Sequence, residues 1–321
     1  MKLNLMILAA AAIFTPAVAA QEIERGNRSI LDVATQLKSG EFVWSPEAGA
    51  TGPALLVVNL ETQRAVLFRN GVPIGASTVS SGKTGHETPT GVFTILEKRK
   101  EHYSSTYNNA PMPNMQRLTW KGVALHAGNL PGYPASHGCI RLPAKFSNLL
   151  FGATELGMTV VITSIPAIPR GSDAPAVTST TARDPKTSIS NARYEWHPER
   201  SPEGMVSVVI SVADERAVVL RGGVEIGSAP VRVSGETAAM AYVLRAWDSG
   251  GQHWLKLQFA GAGGGMEVTP GEGKRFDAPA KFRYDVGSIL RPGSVVIVTP
   301  ATLRAGSTGS PATVMEEESP Q

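Results

Sequence analysis

Short apolar runs separated by polar turns dominate the chain. Leu55-Leu56-Val57-Val58 and Ala65-Val66-Leu67-Phe68 each fit one buried strand, and Arg69-Asn70-Gly71-Val72 after them is a hairpin signal. Gly91-Val92-Phe93-Thr94-Ile95-Leu96 predicts a further strand, Val123-Ala124-Leu125 a strand ending at His126, and Met158 to Thr163 a closing buried strand. Helical spacing is confined to two stretches. Ser29 to Leu37 carries apolar residues behind a serine cap, and Ala144 to Leu156 has Pro143 at its start and Gly157 at its end. Residues 97–118 show no period and carry Tyr103, Tyr107, Asn108, Asn109 and Pro111-Met112-Pro113, so they read as a long loop of the kind that covers sites. The pattern predicts a mainly β protein with short helices.

The organisation follows from shifts in that pattern. Residues 1–20 read as an export signal: Lys2, an apolar core from Leu3 to Phe14, and small residues at Ala17-Val18-Ala19-Ala20. The apolar stretch is shorter than the roughly 20 residues of a membrane span. Residues 21–53 form a leader with one helix, 54–166 a first folded domain, and 167–203 a linker rich in Pro, Ser, Thr, Ala and Arg. Tyr194 and Trp196 at its end are expected to dock on a domain. Residues 204–301 are a second unit, with Gly261 to Gly265 as a turn, and 302–321 a polar, acidic tail.

The second unit repeats the first. E-R-A-V-V-L-R-G-G-V-E-I-G, residues 215–227, matches Q-R-A-V-L-F-R-N-G-V-P-I-G, residues 63–75, and P-A-K-F recurs at Pro143 and Pro279. The simplest account is duplication, with a shortened second copy.

Composition adds little: 42% hydrophobic, 18% charged, net charge +3 and a pI near 9.0. A mildly basic chain suits an acidic polymer, and no basic run with interleaved aromatics points to nucleic acid.

The one cysteine changes the picture. Cys139 lies in Ser136-His137-Gly138-Cys139-Ile140-Arg141, with His126 ten residues ahead of the serine. A thiol attacks as thiolate, which takes a basic neighbour. His126, at a strand end, is the expected base. His137 and Gly138 belong to a turn whose Gly138 and Cys139 amides face an oxyanion. Three other readings stand beside this one: a small buried apolar residue, a zinc ligand with the two histidines, and an intermolecular disulfide. Exported proteins keep cysteines in pairs or not at all, which favours a reactive one here. His86 reads as a solvated loop residue.

S-H-G-C-I-R-L behind a strand-end histidine resembles the signature of the L,D-transpeptidase (YkuD-type) catalytic domain, and H-E-T-P-T-G-V-F-T-I-L resembles its T-P-x-G-x-F segment. The resemblance spans about Leu55 to Ile165. It implies a β-sandwich catalytic domain, with Cys139 as acyl-accepting nucleophile, His126 as base, and Ser136, His137 and Gly138 around the oxyanion site. Arg141, Gly128 and Tyr133 would bind substrate. It also implies action on peptidoglycan stem peptides in the periplasm or cell wall, with a wall-anchored protein as a further possible partner, and neither metal nor cofactor. The acyl acceptor stays open between an amine and water, and a non-catalytic wall-binding protein is the rival reading. Many relatives have glycine directly after the first histidine, whereas this chain has Ala127 and then Gly128. In the repeat, Cys139 falls on Arg275, His137 on Gly273, Ser136 on Glu272 and Arg141 on Asp277, while Trp120 is set against Trp254 and His126 against Ala260. The second copy thus lacks every group of the thiol site.

Overall fold

A computed structural model of the chain describes residues 21–49, 51–164, 189, 192–235, 237–258, 266–269, 271–300 and 303. The export signal, most of the 167–203 linker, Ala260, the 261–265 turn and nearly all of the tail lie outside the described residues.

The first unit runs β1 (Gln21–Glu22), α1 (Ile30–Gln36), β2 (Glu41–Trp44), β3 (Ala54–Asn59), β4 (Arg64–Arg69), β5 (Val72–Thr78), β6 (Gly91–Thr94), β7 (Glu97–Arg99), β8 (Met115–Arg117), β9 (Ala124–Ala127), β10 (Ile140–Leu142), α2 (Ala144–Ala153) and β11 (Thr159–Thr163). Seven of these strands make one sheet in the order β1-β2-β5-β4-β3-β11-β6, and four make a smaller one, β10-β9-β8-β7. Alternation explains the packing. Leu56, Val58, Ala65 and Leu67 point to a core shared with Leu125, Ile140 and Leu142 of the small sheet and Phe146 and Leu150 of α2. The fold is mainly β and sandwich-like.

Two expectations are corrected. Residues 97–118 are not a structureless loop but a β-hairpin, β7 paired antiparallel with β8, with a tip closed by the Tyr103–Pro111 bridge. Its strands are three residues each, too short for a period to register. The helix expected to run on to Leu156 ends at Ala153 with Thr154 as its cap, whose hydroxyl returns to the Leu150 carbonyl at 2.9 Å. A helix end capped in this way needs no glycine. α1 starts as read, with Ser29 accepting from the Asp32 N–H at 3.1 Å.

The second unit runs β12 (Glu195–Trp196), β13 (Val206–Ser211), β14 (Arg216–Arg221), β15 (Val224–Pro230), β16 (Arg232–Val233), β17 (Met240–Asp248), β18 (Gly251–Gln258), β19 (Met266–Glu267), β20 (Phe276–Asp277), α3 (Ala280–Ile289) and β21 (Val295–Thr299). Its main sheet has the order β12-β15-β14-β13-β21-β17-β18-β19. β13 and β21 are parallel, as β3 and β11 are. Trp44 pairs with Gly75 and Trp196 with Gly227, and a Cβ on either glycine would lie 2.6 Å from its tryptophan ring. Tyr194 and Trp196, at the end of the expected linker, pack edge-on against Phe282 of α3.

The two large sheets lie face to face. Val57, Val66, Phe68 and Val161 of the first join Val209, Val218, Leu220, Val295 and Ile297 of the second in one buried cluster that also takes in α1. Thr159 and Ser207 hydrogen-bond across the seam at 3.0 Å. Both faces of each large sheet are therefore covered, which is why their strands read as continuous apolar runs rather than alternating ones.

Candidate active site

Strand register builds the site. β10 lies parallel to β9 with Ile140 opposite Leu125 and Arg141 opposite His126. Because side chains alternate across a strand, Leu125, Ile140 and Leu142 enter the core and His126 and Arg141 share the other face. Cys139 stands one residue ahead of β10, and the charge of Arg141 bears on both its thiol and the His126 imidazole. On the next strand, Arg117 is opposite Ala124, and its guanidinium pairs with Glu97 of β7 at 2.6 Å.

A second segment holds the Cys139 turn from the other side. Ser80 and Arg141 exchange both backbone hydrogen bonds at 3.0 Å, and the Ala135 and Ser136 amides donate to the Ser81 carbonyl at 2.9 Å. The buried Thr88 hydroxyl donates to the Gly138 carbonyl and accepts from the Gly82 N–H, both at 2.8 Å. Gly82 has no room for a side chain, since a Cβ there would lie 2.0 Å from the His86 carbonyl. Gln63 locks Ser81 through its side-chain amide, at 2.7 and 2.9 Å. Gly138 adopts φ of +105°, a region open to glycine.

Ser136 is internal to the turn: its hydroxyl donates to the Cys139 carbonyl at 2.5 Å and accepts from the Gly138 N–H at 3.1 Å. That corrects the expectation of two amides facing an oxyanion, because Gly138 already spends its N–H on the serine. The Cys139 thiol is half-buried and donates to the Gly122 carbonyl at 3.2 Å. Burial pushes this thiol up, against the Ala124 N–H and the charges of Arg141 and Arg117. The N-terminus of α2 does not add a positive field at the thiol. β10 intervenes, and at about 3.3 Å per residue its three residues hold α2 roughly 10 Å away.

His126 is buried, and its Nδ1 lies 2.8 Å from the Ala127 carbonyl. A carbonyl only accepts, so Nδ1 carries the hydrogen and Nε2 the lone pair. Burial first, and the charge of Arg141 with it, pushes this imidazole down to about 4, against the Ala127 bond. At neutral pH the site thus holds a neutral imidazole and a neutral thiol, a pair suited to proton transfer during attack rather than before it.

His137 lies between two rings: His86 edge-on at 4.6 Å, and Tyr107 of the hairpin tip stacked at 4.7 Å and 27°. Burial, then Lys83, His86 and Arg141, lower its pKa. His86 is accordingly a neighbour of the site and not the solvated loop residue expected. Gly128 makes space for Arg141, since a Cβ there would lie 2.9 Å from the arginine Cγ. Tyr133 is exposed, and its carbonyl accepts from the Ser80 hydroxyl at 2.8 Å. Sequence reasoning missed Thr88, Gln63, Arg117 and Gly122, of which Thr88 and Gln63 stood in quoted motifs without being given a role. Among the described residues no three His, Cys, Asp or Glu side chains cluster as metal ligands.

In the second unit, the positions set against the thiol turn hold an ion cluster. The Glu272 carboxylate accepts from Tyr242 at 2.6 Å, Arg275 at 2.9 Å and Lys256 at 3.2 Å. Burial pushes Glu272 up, but these three donors outweigh it and bring it to about 2.

Comparison with known proteins adds a family. The family model of the L,D-transpeptidase catalytic domain, YkuD, matches residues 53–162. No curated protein matches the chain. Similar solved structures include an L,D-transpeptidase from Mycobacterium tuberculosis H37Rv, at 21% identity and TM-score 0.34 over 35% of this chain and 58% of that one. An L,D-transpeptidase from Stackebrandtia nassauensis is 25% identical, with TM-score 0.33, over 37% of this chain and 59% of that one. The chain thus spans under two thirds of the length of these solved chains. What residues 53–162 are similar to is thus the L,D-transpeptidase catalytic domain of the YkuD family.

Proposed function

We propose that this chain is an exported peptidoglycan L,D-transpeptidase with Cys139 as nucleophile. The observation that supports the reading is the β9–β10 register, which sets Arg141 opposite His126 with Cys139 one residue ahead of β10. His126 Nε2 accepts the thiol proton as sulfur attacks the amide after the third residue of a tetrapeptide stem. The C–N bond breaks, His126 returns the proton to the leaving D-alanine, and a thioester remains on Cys139. An amine then takes the acyl group, giving a 3→3 cross-link, an exchanged D-amino acid or a protein attached to the wall. Water in place of the amine would make the enzyme an L,D-carboxypeptidase. With the Gly138 N–H held by Ser136, the Cys139 N–H takes the oxyanion role. Arg141, in the space left by Gly128, holds a substrate carboxylate, and Tyr133 borders it. The chain acts outside the cytoplasm, on the wall.

The second unit, in this reading, is a duplicated copy emptied of chemistry. Its support is the shared strand order, the parallel closing strand, the tryptophan–glycine pair and the helix behind P-A-K-F. Its role is to cover the face of the large sheet that points away from the small one.

Incubation with disaccharide-tetrapeptide tests the activity. Release of D-alanine with a mass-identified product supports it, and binding to sacculi without product favours the wall-binding alternative.

A further inference from the structure

We propose that Trp120 is a stacking platform for a sugar ring of the glycan strand that carries the stem peptide; this rests on the peptidoglycan reading above. Trp120 is 73% exposed on the turn between β8 and β9. That turn also provides Gly122, whose carbonyl accepts from the Cys139 thiol at 3.2 Å. The Arg117 guanidinium lies 5.7 Å from the indole, and its charge bears on the thiol. The indole therefore stands at the rim of the nucleophile.

Its exposure is not what the scaffold demands. Trp254, set against Trp120 in the sequence repeat, packs against the core of the second unit. Among the described residues, six aromatics are markedly exposed, and four of them, Tyr103, Tyr107, Trp120 and Tyr133, lie on the segments around the nucleophile. Exposed aromatic surface is thus concentrated where substrate arrives, which marks a contact surface.

The shape selects the ligand. A pyranose presents a flat patch of C–H bonds of slight positive character, which suits the electron-rich face of indole, and keeps its hydroxyls and N-acetyl group in water. An apolar peptide side chain instead favours an enclosed pocket, which a projecting turn does not provide.

The test compares D-alanine release from bare tetrapeptide and from the same peptide on its N-acetylglucosaminyl-N-acetylmuramyl disaccharide. The wild type prefers the disaccharide substrate in kcat/KM, and Trp120→Ala lowers that preference by about tenfold, while Trp120→Phe keeps most of it. An unchanged ratio overturns the proposal. Should the wild type release nothing from either substrate, the transpeptidase reading fails, and a second measurement still decides on Trp120. Cys139→Ala protein is titrated with the free disaccharide while the Trp120 indole N–H resonance, assigned with Trp120→Phe, is followed. A saturable shift supports the platform, and a stationary resonance removes it.

Discussion

At the scale of single residues, the proposed mechanism rests on one thiol and one buried imidazole, and burial favours the neutral form of each. Cys139→Ala removes the sulfur and is expected to abolish acylation by a carbapenem, read as loss of the mass adduct on intact protein. His126→Ala leaves the thiol without an acceptor for its proton and slows adduct formation by about 10²–10⁴-fold. The low pKa of His126 sets the acid limb of the rate profile. kcat/KM stays level as pH falls towards about 4 and drops below it, when the imidazole is protonated. An acid limb centred near 6.5 instead would contradict the buried imidazole. The same group ties stability to pH. Its folded pKa of about 4 lies below the ordinary 6.5, so the unfolded chain takes up the proton first. Stability falls as pH drops through that window, by about 3 kcal/mol in all, and His126→Gln flattens the melting temperature across it.

At the scale of elements, the thiol turn depends on the 80–88 segment as much as on its own strand. Thr88→Ala leaves the Gly82 N–H and the Gly138 carbonyl without their partner, at a cost of about 1–3 kcal/mol. The expected result is a lower melting temperature together with slower acylation. A variant that melts lower but acylates at the wild-type rate would place Thr88 in stability alone. This dependence also explains what could be read from the chain. The strands around Leu55–Phe68 and the S-H-G-C motif were legible because buried strands are runs of apolar residues and because a lone cysteine between histidines is chemically conspicuous. The 97–118 hairpin was not, since three-residue strands show no period. His86 was misread because a polar loop residue becomes a site neighbour only through long-range pairing, here Gly82 with Ser136. The Gly138 amide was likewise assigned outward, whereas Ser136, two residues back, turns it inward.

At the scale of the whole molecule, the apolar faces of two large sheets meet, so neither unit presents a finished surface alone. A chain ending at residue 166 would expose Val57, Val66, Phe68 and Val161. Each such side chain loses about 1.5–3 kcal/mol of burial, and the fragment is expected to aggregate or bind an apolar dye. Gel filtration of the fragment beside the full chain checks this, and a monodisperse fragment melting like the full chain would show that the second unit is dispensable. The letters shared by the two units were visible in sequence. The back-to-back packing was not, because the residues that make it are ordinary valines and leucines in both units. One contact joins the tip of the β7–β8 hairpin to the cysteine turn. Tyr107 rests on His137, a ring pair worth about 0.5–1.5 kcal/mol, comparable to one or two units of thermal energy. A contact of that strength breaks and re-forms by thermal motion, so the hairpin tip is expected to swing off the imidazole and back without any strand unpairing.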